Sequence, residues 1–150
     1  MRSSTTIRNR SNPYGIDTRL QRCHRSGAPR DTVEKLIELV IAVAGDQDAA
    51  LSSIGLTELV HGIYRAQTPV IRQRRQLFIE ELSRDLAVYP YTKETAMLAG
   101  KIDGEQRALG VTIPFGDLLV GATALSLDFS ILTGNLRHFR LIPGLKTLTL

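Results

Sequence analysis

FGDLLVGATALSLDFSILT, residues 115–133, decides the fold. From Phe115 to Leu127 the residues are small or apolar, and no ionisable side chain falls between Asp117 and Asp128. A helix over this stretch is apolar nearly all round and is expected to be buried. Ser130-Ile131-Leu132-Thr133 then reads as a short strand. Helices exchanging with short apolar strands point to a parallel sheet covered on both faces.

The flanking sequence repeats this alternation. Upstream, Thr92 opens a helix that uses Ala96, Leu98, Ala99, Ile102 and Leu109 and ends at Gly110. Leu86 to Tyr91 reads as a short strand. Thr68-Pro69 is a cap followed by a first-turn proline, and begins a helix running to about Asp85. This helix offers Ile71, Leu77, Phe78 and Leu82 to a core while Arg72, Arg74 and Arg75 face outward. Gly55-Leu56-Thr57 leads into a helix through Leu59, Val60, Ile63 and Tyr64, after a strand over Ala50 to Ile54. Val33, Leu36, Ile37, Val40 and Ile41 recur at helical spacing between Asp31 and Gly45. Downstream come a short helix around Leu136 to Arg140 and an extended end from Leu145. Residues 1–15 show almost no periodicity and read as loop or leader. The expectation is a three-layer α/β/α domain with a mostly parallel sheet of four or five strands. There is no repeat and no internal linker.

At 150 residues and 43% hydrophobic content, the chain supports one core and is too short for two ordinary domains. No apolar run approaches the roughly 18 residues of a spanning helix, and the basic opening MRSSTTIRNRSNP has no apolar segment behind it to suggest a secretory signal. A single cysteine, Cys23, allows no internal disulfide and fits a reducing compartment. The net charge of +4 is unevenly distributed. Residues 1–30 hold seven arginines against one acid, Asp17, while the rest holds twelve bases against fourteen acids. The basic arm reads either as a polyanion contact or as a solvated leader.

Ligands in such a sheet sit outside the carboxyl ends of the strands. Three acids fall where strands give way to helices. Asp17 follows the basic leader, Glu58 falls in what reads as the first turn of a helix, and Asp117 opens the apolar helix. Each has an ordinary alternative: a turn residue for Asp17, a helix cap or dipole partner for Glu58 and Asp117. Carboxylates converging on one sheet edge repel unless protonated or bridged by a cation. Hard oxygen donors of this kind suit Mg2+ or Mn2+ and phosphodiester hydrolysis.

Other chemistries find less support. Gly116 and Gly121 are isolated, and no phosphate-binding glycine loop is present. His24, His61 and His138 lack zinc-site spacing, and Cys23 has no Cys-x-x-Cys partner. Tyr64, Tyr89 and Tyr91 read as core-edge residues.

Three segments resemble the PIN-domain ribonucleases, most closely the VapC-type toxins of bacterial toxin–antitoxin pairs. They are Ile113 to Leu125 continuing into Ile131 to Phe139 and Ile142 to Leu145, then Ile54 to Gly62, and Ile16-Asp17-Thr18. The resemblance implies a PIN-like domain over residues 13–150 behind a basic leader of residues 1–12. It implies that Asp17, Glu58 and Asp117 hold Mg2+, with Mn2+ able to substitute. It gives Thr133 a role through its hydroxyl and Asn135 a supporting polar role. Many relatives carry a further aspartate at the place of His138, so one negative ligand is missing here.

The resemblance further implies a cytoplasmic endoribonuclease toxin with an RNA substrate, a cognate antitoxin, a homodimer and no membrane. Ile71, Leu77 and Phe78 are candidate apolar contacts for the dimer. The segment around Asp17 departs from the family pattern. It is approached through Ser11-Asn12-Pro13-Tyr14-Gly15 and left through Arg19-Leu20-Gln21-Arg22, where a buried strand and helix should be apolar. This leaves a second reading, a PIN-like domain with an altered N-terminal segment that binds antitoxin or RNA with weak or no nuclease activity. A small-molecule phosphatase on a similar sheet is a third.

Overall fold

The centre of the sheet is a three-residue strand, Tyr14–Ile16 (β1), held between two longer neighbours. The computed structural model describes residues 14–16, 38, 42–43 and 49–149. The remaining elements are β2 (Ala49–Ser52), α1 (Ser53–Tyr64), α2 (Pro69–Asp85), β3 (Ala87–Tyr89), α3 (Lys93–Ala108), α4 (Phe115–Ser126), β4 (Ser130–Thr133), α5 (Leu136–Phe139) and β5 (Thr147–Thr149). Glu38, Ala42 and Val43 are helical, within the helix expected over residues 31–45, whose other residues lie outside the described ones. The expected leader, residues 1–12, lies outside them as well.

Local chemistry sets the boundaries. The Thr68 hydroxyl accepts the Ile71 N–H at 3.2 Å, with Pro69 in the first turn, and the Thr92 hydroxyl does the same for Thr95. Just past α3, Gly110 takes φ of +77°, the left-handed conformation that closes many helices and that glycine adopts without penalty. Ser52 caps α1 by accepting the Gly55 N–H at 2.9 Å.

The sheet has five strands in the order β3-β2-β1-β4-β5, and all four pairings are parallel. Ile16 pairs with Leu51 on one side and Leu132 on the other. The chain builds outward from β1 to β3, then crosses to β4 and builds outward the other way. The switch point, where open α/β sheets place their ligands, therefore lies between β1 and β4.

Alternate residues along each strand face opposite layers. Ala50 and Ile131 join one core with Ala99 and Ile102 of α3, Leu118 and Ala122 of α4, and Phe139 of α5. Leu51 and Leu132 join the other, with Leu59 and Ile63 of α1 and Ile79 and Leu82 of α2. Two cores on the two faces of one sheet give the expected three-layer α/β/α architecture.

The structure departs from the sequence reading in three places. Tyr14 and Gly15, read as loop, belong to the central strand, because pairing on both edges needs no side-chain periodicity over three residues. The strand expected over Ala50 to Ile54 stops at Ser52, since the Ser52 cap starts α1 at once. Arg75 does not face outward: its guanidinium donates to the Gly62 carbonyl, tying α2 to α1.

Candidate active site

Asp117 is the third residue of α4, whose N-cap is Pro114, a residue with no side-chain cap to offer. It is 2% exposed. The α4 dipole favours a negative charge in this first turn, and Asp117 Oδ2 lies 2.7 Å from Nδ1 of His138. Burying a carboxylate is costly without such a partner.

Glu58 approaches the same helix end from the opposite layer. Because α1 starts at Ser53, Glu58 lies in its second turn and caps nothing, which removes the helix-cap alternative. Its carboxylate rests against the backbone of Gly116, where a Cβ would come within 2.9 Å of Glu58 Oε1. The missing side chain at Gly116 makes the cradle that receives Glu58 next to Asp117. Sequence reasoning passed over Gly116 as an isolated glycine. Its signal was a glycine inside the first turn of a helix, where no turn conformation requires one.

Thr133 ends β4 and is fully buried. Its Oγ1 accepts the Asn135 N–H at 2.9 Å, which folds the chain sharply from β4 into α5. Asn135 is half-buried and is the first flanking residue of α5. One turn later His138 reaches Asp117, while its neighbour Phe139 is fully buried and fixes α5 on the core. The pairing of His138 across 21 residues was also missed, because it depends on how α5 returns against α4.

Asp17 follows Ile16 directly in the sequence and lies outside the described residues. The structure thus brings Glu58 and Asp117 to one helix end and links Thr133 with Asn135. Among the described residues, no group of three or more His, Cys, Asp or Glu side chains could hold a metal ion. Among the remaining candidates, Tyr64 is 74% exposed, so it is no core-edge residue. Tyr89 packs edge-on against Phe129 with ring centroids 5.3 Å apart. Cys23 and His24 lie outside the described residues.

The site thus consists of two carboxylates at the N-terminal end of one helix of an open, all-parallel α/β/α sheet. Residues 26–145 match the family model of the PIN domain, and the chain belongs to the PIN-domain family. Asp17 precedes the matched span. The chain is 36% identical over 101 residues to a protein of Rickettsia bellii named Ribonuclease VapC, covering 67% of this chain and 75% of that protein. It is 30% identical over 96 residues to the tRNA(fMet)-specific endonuclease VapC of Salmonella typhimurium, covering 64% and 70%. Its fold is similar to that in the crystal structure of VapBC2 from Rickettsia felis bound to a promoter DNA fragment. That match has a TM-score of 0.74 at 22% identity, covering 91% of this chain and 98% of the other.

Proposed function

We propose that this protein is a divalent-metal-dependent endoribonuclease, the toxin of a toxin–antitoxin pair, which hydrolyses RNA phosphodiester bonds. The observation that carries the reading is the Gly116 cradle, which seats the Glu58 carboxylate against the helix end where Asp117 is buried. Two hard carboxylates gathered there fit Mg2+, with Mn2+ as a substitute, better than a soft or nitrogen-preferring metal. Glu58 and Asp117 would hold the ion together with Asp17. When bound, such an ion lowers the pKa of water and stabilises charge on phosphate oxygens.

The protein's own groups do the rest. Thr133 presents a hydroxyl oriented by the Asn135 N–H, and Asn135 supports it at the rim. Phe115, two residues before Asp117 and 73% exposed, offers a face on which an unpaired base can stack. The names of the relatives support RNA as substrate, and the similarity to structures described as toxin–antitoxin complexes supports a cognate antitoxin as partner. A homodimer through α2 is part of the proposal, since Ile71 is 37% and Leu77 52% exposed. No helix among the described residues is long and apolar enough to cross a membrane. A cytoplasmic location completes the reading.

The test is cleavage of a mixed RNA pool. Activity is expected to vanish with EDTA, return with Mg2+ or Mn2+, and fall by orders of magnitude in Asp117→Asn, which keeps nearly the same shape but loses the charge. Full cleavage by Asp117→Asn, or cleavage that survives EDTA, refutes the proposal.

A further inference from the structure

We propose that His138 is a positioning residue for the divalent ion: its Nδ1–H fixes the rotation of the buried Asp117 carboxylate, so that ion affinity depends on an imidazole that does not itself touch the ion. The inference rests on the reading that Asp117 holds the ion.

Three observations lead there. First, with Asp117 ionised, as holding a cation requires, its carboxylate can only accept hydrogen bonds, so the 2.7 Å contact with His138 Nδ1 assigns the hydrogen to Nδ1. That length lies at the short end for a bond to a charged acceptor. Second, the donor comes from a different element than the carboxylate. A bond from α5 to α4 therefore sets the carboxylate plane independently of α4's own backbone. Third, the imidazole is itself held. The Thr133–Asn135 bond fixes the start of α5, Phe139 beside His138 is fully buried, and the Arg140 N–H closes the helix on the Leu136 carbonyl at 3.0 Å.

The side chain of Asp117 is only 3% exposed, against 29% for that of His138. The carboxylate thus has little water to reorient it, and the half-buried His138 contributes a hydrogen bond that orients it. Metal ligands held from behind in this way lose affinity when the supporting donor is removed.

The experiment measures Mn2+ binding by calorimetry in the full-length protein, with unfolding midpoints recorded in EDTA. His138→Asn keeps an amide N–H close to the Nδ1 position. His138→Gln carries it about one bond further out, and His138→Leu lacks it. Weakening of about 10–100-fold is expected in His138→Gln and His138→Leu, with His138→Asn within about threefold of the unmodified protein. Should His138→Leu fail to fold, the comparison of His138→Asn with His138→Gln decides alone. Unchanged affinity in all the His138 variants overturns the proposal. So does equal loss in His138→Asn and His138→Gln, because the imidazole itself is then needed. Asp117→Asn separates the two levels. Loss of Mn2+ there with no effect at His138 sinks only the positioning role, whereas unchanged affinity in Asp117→Asn sinks the ion-holding reading beneath it.

Discussion

Replacing Gly121 by alanine should destabilise the protein, although helix propensity alone says the opposite. Gly121 lies in the middle of α4, where alanine is worth up to about 1 kcal/mol more than glycine. A Cβ there, however, would lie 2.2 Å from Ile142 Cδ1 and 3.2 Å from Leu145 Cδ2. Carbon atoms pack comfortably at about 3.5–4.0 Å. Ile142 would have to retreat by more than an ångström, yet it is 2% exposed and belongs to the same core cluster as the fully buried Phe139. Overpacking of this kind costs about 1–3 kcal/mol. Set against the propensity gain, the net expectation is a loss of up to about 2 kcal/mol, a fall in Tm of up to roughly 8 °C for a chain of this size. Ile142→Val removes the clashing methyl group and costs about 0.5–1.5 kcal/mol by itself. The double variant should be more stable than the sum of the two losses implies, by about 1 kcal/mol. Urea unfolding followed by circular dichroism gives all four stabilities. A more stable Gly121→Ala, or strictly additive losses, would refute the packing argument.

Gly116→Ala tests the cradle: it should displace the Glu58 carboxylate and weaken Mn2+ binding about 10-fold by calorimetry while leaving the urea midpoint nearly unchanged. Asp17→Asn should weaken Mn2+ binding and RNA cleavage together, and equal values for both proteins would show that Asp17 is no ligand. Glu94, in the first turn of α3, is held below its ordinary pKa of 4.5 by a backbone hydrogen bond and by the Thr92 hydroxyl. A depressed carboxylate stabilises the fold above its unfolded pKa and loses that contribution as pH falls through the folded value. Glu94→Gln should therefore be less stable at pH 7 and equal to the unmodified protein once pH drops clearly below 4.5, as thermal melts across that range will report. Sedimentation at micromolar concentration checks the dimer, where only a 16.6 kDa species would exclude it.

What was legible in the sequence followed from side-chain chemistry that acts locally. Ser130–Thr133 and the helix from Phe115 were readable because burial on all sides leaves an unbroken apolar record. The starts of α2 and α3 were readable because Thr68 and Thr92 are capping residues. The central strand was not, since three residues paired on both edges need no pattern of their own. Ser52 misled for a related reason: the same hydroxyl suits a strand end or a cap, and only the Gly55 N–H decides. In the site, Glu58 and Asp117 could be picked out by their places along the chain. Their meeting could not, because it depends on an absent side chain at Gly116, and the His138 bond depends on the path of α5.

The pairing of residues 14–16 with residues 130–132 has a kinetic consequence. Contacts between segments so distant in sequence incur the entropy of closing a long loop before they return any stability, which slows folding. During synthesis β1 emerges first, yet its second edge stays open until β4 has been made. A chain halted before residue 130 would expose an unpaired parallel edge of the kind that recruits other strands. Limited proteolysis of stalled or truncated chains should find Tyr14 to Ile16 unprotected until Ser130 to Thr133 are present. The last fifth of the sequence thus decides when the first strand becomes interior.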